Sequence, residues 1–312
     1  MGFRLLPVLL GALAWVPATA RADIDPIVEA ERAFAADVAD MGVRDGTLRH
    51  LMEESVVFRP LPVAARGWYA AQETPDFLLQ WRPWFAEIAA SGDFGWSIGP
   101  WRSRTLEEGL RPDGHGFYAT VWMKDANGDW KVLVDHGVST SAAASGRDAV
   151  TALGEGRSAA VEGSFLVNTR YQGLMAAALR LPSAQRPGGE EVERAWLDED
   201  LVLLRPGRPP IQGHDAVRQV VLGEVGASAP DLTVMAASGD LGVSIGGEPE
   251  HGAYLRIWRH RDNAGWLLAA EVAVPVTAPP AAGPDSEAPQ PEAEEQAPSA
   301  DDATVPAEAA GE

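Results

Sequence analysis

The side chains best suited to chemistry in this sequence are Asp135, His136 and Tyr118. Asp135 stands in the run Trp130-Lys131-Val132-Leu133-Val134-Asp135-His136, which has the composition of a strand. A carboxylate drawn into an apolar setting ionises less readily, and its raised pKa suits a general base removing a proton beside a carbonyl. Tyr118 could donate a hydrogen bond to the oxyanion formed. His136 is the rival base, an imidazole that titrates near neutrality. Strand geometry predicts Trp130, Val132, Val134 and His136 on one face, with Lys131, Leu133 and Asp135 on the other. The structural alternative for Asp135 is an ion pair with Arg59 across the sheet.

Other patterns carry less. Gly95-Trp96-Ser97-Ile98-Gly99 matches the spacing of a hydrolase nucleophile elbow, which requires a strand, a sharp turn and a helix. Here the apolar alternation of Phe94, Trp96 and Ile98 continues instead, so the match reads as accidental. The six histidines show no chelating spacing. With no cysteine there is no thiolate nucleophile or Cys-based zinc site, and no motif calls for a metal or cofactor.

The elements that must position these residues occur twice. Arg59-Pro60 recurs as Arg205-Pro206, 146 residues on. Ser91-Gly92-Asp93-Phe94-Gly95-Trp96-Ser97-Ile98-Gly99 recurs 147 residues on, from Ser238 to Gly246, with seven of nine positions identical. His115, Tyr118, Trp122 and Trp130 recur 136 residues on as His251, Tyr254, Trp258 and Trp266. Two copies are expected, over 24–140 and 164–275, joined by an Ala/Gly/Ser-rich linker over 141–163. Each reads helix first and then strands, with a hairpin at Asn127-Gly128 in copy one. A helix is expected from Asp25-Pro26, with Ile27, Ala30, Phe34, Val38 and Met41 on its buried face. A short helix over 47–53 and a strand over 56–59 follow.

Positions shared by the copies read as scaffold, and positions that differ are free for function. Trp96 becomes Val243, Thr120 becomes Arg256 and His136 becomes Val272. Copy one also holds seven of the eleven tryptophans. Aromatic walls with a few polar groups are typical of small-molecule pockets. The ligand-binding candidates are Arg59, Trp84, Trp96, Thr120 and Trp122, although Arg59 and Trp122, like Tyr118, are shared by the copies and read as scaffold by this logic.

Residues 1–22 read as a signal peptide: Arg4, an apolar run from Leu5 to Val16, then small residues with a cleavage site between Ala20 and Ala22. Export to a periplasmic or extracellular compartment is expected, with no integral membrane segment after processing. Residues 276–312 hold nine acidic side chains, seven prolines and no Lys or Arg, so a disordered acidic tail is expected. The whole chain carries 45 acidic against 25 basic side chains, a net charge of −20 that argues against a nucleic-acid partner.

The order of an amphipathic helix, Val56-Val57-Phe58-Arg59-Pro60, Ser91-Gly92-Asp93, Tyr118, Trp122, Gly128-Asp129-Trp130-Lys131 and Asp135 resembles the nuclear transport factor 2-like superfamily. Its SnoaL-like and ketosteroid-isomerase-like bacterial domains are the nearest in pattern. The resemblance implies an α+β fold of two tandem cone-shaped domains, each a curved antiparallel sheet packed on N-terminal helices, with a pocket in the open end. It also implies that the copies can form a pseudo-dimer within the chain, because family members often dimerise through the sheet. The function expected is binding of a small apolar or aromatic molecule in the copy-one pocket. The alternatives are a proton-transfer enzyme of isomerase or cyclase type, using Asp135 or His136, and an interaction protein with an acidic docking tail.

Overall fold

Helix α1, Asp25–Met41, starts one residue earlier than expected: Ile24 is the N-cap, while Asp25 and Pro26 lie in the first turn. Proline costs nothing there, where its missing N–H has no helical partner, and the Asp25 carboxylate meets the positive end of the helix dipole. The buried stripe contains Ile27, Val28, Phe34 and Val38, but also Glu31. Gly42, at φ 84°, ends the helix and turns the chain directly into α2, Val43–His50. That conformation is cheap only without a Cβ.

The computed structural model describes residues 23–73, 77–105, 113–144, 146–147, 149–184, 194–213 and 228–275. The expected signal peptide, the expected acidic tail and His214 lie outside these residues.

After α2 come β1, Leu51–Phe58, β2, Pro62–Ala64, the short helix α3, Ala65–Ala71, β3, Phe77–Trp81, and β4, Phe85–Ile88. Three long strands follow: β5, Phe94–Thr105, β6, Gly114–Lys124, and β7, Trp130–Ser139. The pair β8, Thr151–Ala152, lies in the segment read as a linker and joins the first sheet beside β4. The second half has α4, Ser164–Ala184, β9, Leu197–Leu204, β10, Ile211–Gln212, β11, Leu232–Met235, β12, Leu241–Glu248, β13, Gly252–Arg261, and β14, Gly265–Val274.

The strand order is β2-β1-β7-β6-β5-β4-β8 in the first sheet, with β3 on β5, and β10-β9-β14-β13-β12-β11 in the second. The two orders superimpose strand for strand from β2 to β4. The fold is α+β, but the sheets are mixed rather than antiparallel. β1 runs parallel to β7 and β9 parallel to β14. The chain crosses the whole sheet between these strands, so the returning strand arrives in the same direction. This long-range pairing also begins β1 at Leu51, inside the expected second helix.

The helices cover one face of the first sheet, where Ile27, Phe34, Val57, Trp122 and Val132 form one apolar cluster. The opposite faces of the two sheets pack on each other. Phe94, Trp96, Ile98, Phe117 and Val134 share a single buried cluster with Val202, Leu241, Val243, Ile245, Leu255 and Val272. β5 and β6 are thus buried on both faces along most of their length.

The simple alternation expected for β7 is broken. Trp122 pairs with Val132 but Val121 with Val134, so Leu133 is an extra residue in a β-bulge. Leu133 and Val134 both enter the layer between the sheets, while Val132 faces the helices. The second half repeats the device: Trp258 pairs with Leu268 and Ile257 with Ala270, leaving Ala269 extra.

Candidate functional site

The bulge sets which side chains converge inside the first half. Across the helix-facing side of the sheet, one row runs Val57, Asp135, Thr120, Ser97 and Ala86, each in register with the next. Glu31 comes down onto this row from α1. Its Oε2 accepts from Ser97 Oγ at 2.5 Å and Trp122 Nε1 at 3.0 Å, and its Oε1 accepts from Trp81 Nε1 at 2.5 Å. Glu31 is fully buried. Burial pushes its carboxyl up to about 7, with the three donors opposing the shift.

Asp135 lies two positions along the row from Ser97 and is only partly covered. Thr120 Oγ1 donates to its Oδ1 at 3.0 Å. Desolvation raises its pKa, while the Thr120 hydrogen bond and the Arg59 charge pull the other way. Tyr118 is paired with Gly137, which is exposed. Its hydroxyl is buried, and its one side-chain partner among the described residues is Ser97, whose Oγ donates to Glu31 and keeps a lone pair for the phenol, at a geometry short of a full hydrogen bond. Burial and the Glu31 charge push the phenol well above its ordinary value. Arg59 stands at the rim, donating to Tyr69 Oη at 3.1 Å, with its guanidinium 4.3 Å from the Trp68 ring centroid.

The structure therefore brings together Asp135, Tyr118, Thr120, Trp122 and Arg59, and it separates three other candidates from them. Trp96 lies in the layer between the sheets and donates to Glu87 at 3.1 Å. Trp84 packs against the same layer, edge-on to Phe117. His136 stacks on Phe58 with ring centroids 3.8 Å apart, and burial lowers its pKa to about 3. Such a group stays neutral at physiological pH on the face away from Asp135. Ser97 sits inside a strand that continues to Thr105, so no nucleophile elbow forms.

Glu31, Ser97 and Trp81 are the site residues that sequence reasoning missed. Glu31 carried a legible signal, a carboxylate four residues after Ile27 and three before Phe34 in the apolar stripe. The repeat carried a second. A Cβ on Gly95 would meet Ile27, and one on the equivalent Gly242 would meet Leu174, so α4 matches α1 with Ala178 at the place of Glu31.

The same framework is closed in the second half. Glu271, in the place of Asp135, is held by Arg205 at 3.0 Å and Arg256 at 3.5 Å. Arg256 replaces Thr120 and lies 3.9 Å from the centroid of the Tyr254 ring. Tyr254 Oη donates to Ser228 O at 3.2 Å, and Trp258 Nε1 donates to Ser244 Oγ at 2.8 Å.

No family model and no curated protein matches the chain. Among solved structures it is similar to an NTF-2-like protein of unknown function from Shewanella oneidensis, at 14% identity and TM-score 0.30, over 36% of this chain and 96% of that one. An NTF2-like superfamily protein from Salmonella enterica matches at 13% identity and TM-score 0.31, over 40% and 96%. A putative scytalone dehydratase from Novosphingobium aromaticivorans matches at 15% identity and TM-score 0.31, over 42% and 92%.

Proposed function

We propose that the first half binds a small apolar or aromatic molecule carrying an acceptor oxygen, and that the second half is a closed scaffold. The observation that carries this reading is the contrast between two equivalent tyrosines. Tyr254 Oη is tied to Ser228 O, whereas Tyr118 Oη, buried beside a partly open carboxylate, makes only a marginal contact with Ser97 that falls short of hydrogen-bond geometry. A buried donor left wholly unpaired costs about 1–3 kcal/mol, and a ligand oxygen would recover the part of that cost that the marginal Ser97 contact leaves. Trp68 beside Arg59, and Trp81 with its register partner Trp101 on β5, supply flat apolar surface for the rest of the molecule. The reading puts this binding outside the cytoplasm on the strength of the signal-peptide pattern in the sequence of residues 1–22.

The test is a native mass spectrum of the purified chain, with Tyr118→Phe and Asp135→Asn variants alongside. Support would be an adduct lost on denaturation, retained by Tyr254→Phe and weakened by both first-half variants. An adduct indifferent to Tyr118 and Asp135 would sink the assignment.

A second reading, proton transfer, has one observation in its favour: Asp135 combines a raised pKa with partial access, beside a phenol able to stabilise an oxyanion. It predicts that the protein exchanges the α-hydrogens of aromatic ketones with deuterated water, measured by proton NMR, and that Asp135→Asn abolishes the exchange.

A further inference from the structure

The first sheet has one edge covered that the second leaves open. In the first half the outer edge of β4 carries β8, which runs parallel to it. Thr151 N donates to Trp84 O at 2.8 Å, and Leu153 N donates to Ala86 O at 2.9 Å. The same segment packs Val150 against the helix-side cluster and Leu153 against the layer between the sheets. All four residues of β4 are buried. β11 is the equivalent strand, because Leu232 pairs with Ile245 as Phe85 pairs with Ile98 in the repeated segment. Asp231 O and Thr233 O therefore stand where Trp84 O and Ala86 O accept from β8, yet no strand pairs with this edge among the described residues.

The four residues of β11 are only half-buried. A cleft of about 510 Å³ lies beside Leu232 and Val234, and one of about 500 Å³ lies between α4 and β11, beside Thr233 and Met235. These are the two sides that Leu153 and Val150 fill in the first half. An edge of Leu, Thr, Val and Met has neither the Lys nor the Pro that blunts natural edges, so it is a template for another strand.

β8 comes from the chain that follows β7, and the chain that follows β14 is placed to do the same. Val272, Leu255, Ile245 and Leu232 lie in one row, so β14 leaves the sheet at the end where β11 enters it. Four strand spacings, about 19 Å, separate β14 from a strand added outside β11. The chain from Val274 to Ala281 spans up to about 23 Å when extended. Parallel pairing needs N–H donors two residues apart. Val276 and Ala278 are too close to β14 to reach, and Pro279, Pro280 and Pro284 have no N–H, which leaves Ala281 and Gly283. Residues 276–284 carry no charge, whereas the chain turns acidic from Asp285, which Asp231, Glu53 and Glu54 at the rim of the first cleft would repel. Glu87, which holds Arg157 of the covering segment in the first half, is Val234 here, so a segment without Lys or Arg suits this edge.

We propose that β11 is a docking edge for the chain's own residues 276–284, which add to the second sheet as a parallel strand. Ala281 N–H donates to Asp231 O, Gly283 N–H donates to Thr233 O, and Thr233 N–H donates to Ala281 O. Ala282 then lies beside Thr233, as Ala152 lies beside Ala86. The docked segment shields the open edge from other chains and holds the acidic remainder, from Asp285 on, outside the fold. The proposal is independent of the Asp135 site, which lies in the first half.

The test uses the full chain, which has no cysteine of its own. Thr233→Cys with Ala282→Cys should form an intramolecular disulfide under mild oxidation at least about tenfold faster than Thr233→Cys with Ala288→Cys, because a free tail presents both positions at nearly the same effective concentration. Hydrogen exchange should show the Thr233 amide and the segment 276–284 protected, and Ala281→Pro with Gly283→Pro should abolish protection in both. Those substitutions lie outside the described body, and an unchanged melting midpoint confirms that it still folds. The proposal is overturned if the two cysteine pairs close within about threefold of each other. It is also overturned if residues 276–284 exchange as a free peptide. Protection of Thr233 that ignores the proline variant overturns it equally, and the mass in solution then tells a second copy from a separate peptide on the edge.

Discussion

Ser91 Oγ lies 2.8 Å from Ser238 Oγ, so the same residue of each repeat meets its own counterpart where the halves join. Around this contact the repeated Ser-Gly-Asp segments exchange bonds: Asp93 accepts from Ala237 N at 3.2 Å, and Asp240 accepts from Ala90 N at 2.9 Å. The motif kept in both copies is therefore the junction between them. Its two aspartates differ in setting, since Asp240 is fully buried and also binds Arg157 at 2.6 Å. Asp240→Asn should cost on the order of 3 kcal/mol, by weakening a buried ion pair. Asp93→Asn, partly exposed, should cost below about 1 kcal/mol. Urea unfolding of the two variants measures the asymmetry, and equal losses would contradict it.

The tyrosine contrast makes a stability prediction that needs no ligand. Tyr254→Phe leaves Ser228 O without its donor and should destabilise the protein by about 1 kcal/mol. Tyr118→Phe removes a hydroxyl whose only side-chain partner is a marginal contact with Ser97, so it should cost less than Tyr254→Phe and lie near neutral. Chemical denaturation under one set of conditions compares them directly.

Glu31 should make stability fall as pH rises. Its folded pKa of about 7 lies above the ordinary 4.5, so between these values the native state holds a proton that the unfolded chain has released. Stability is therefore highest below about pH 4.5 for this group and declines until about pH 7. The shift corresponds to at most about 3 kcal/mol. Glu31→Gln should remove that slope, read as the difference between variant and wild-type unfolding free energies across pH 4.5–8. A difference independent of pH would show that Glu31 ionises normally.

Arg259 joins Glu87 of the first half to Asp198 of the second, all three fully buried. Burial pushes the Glu87 carboxyl up, yet Arg259 and Arg157 outweigh it and hold the group below its usual value. Arg259→Met leaves two buried carboxylates short of a partner and should cost on the order of 3–5 kcal/mol. The loss should appear as a lowered denaturation midpoint for the whole protein, because the broken contact spans both halves.

Much of the architecture was legible in the residues alone. Repeated Ser-Gly-Asp, Arg-Pro and Trp landmarks marked two copies, the 3.6-residue stripe marked α1, and Asn127-Gly128 marked the β6–β7 hairpin. These signals are local, since each arises within one turn or a few neighbouring residues. Asp135, Tyr118, Thr120, Trp122 and Arg59 lie near one another in the structure, although the alternation expected for β7 did not hold.

Tertiary structure decided the rest. The extra residue at Leu133 reset the alternation of β7, and a bulge is defined by its partner strand rather than by its own sequence. Trp84, Trp96 and His136 look like pocket residues by type, yet the second sheet covers their face and makes them interior packing. Glu31 gained its role from three donors 50, 66 and 91 residues away in the chain. The residues alone pointed to α1, the β6–β7 hairpin and the repeat, but not to where α2 gives way to β1 or to the β8 pair within the expected linker. Which faces meet, and so which polar groups are stranded or satisfied, depended on long-range packing, because burial is a property of the assembled sheets and not of any one strand.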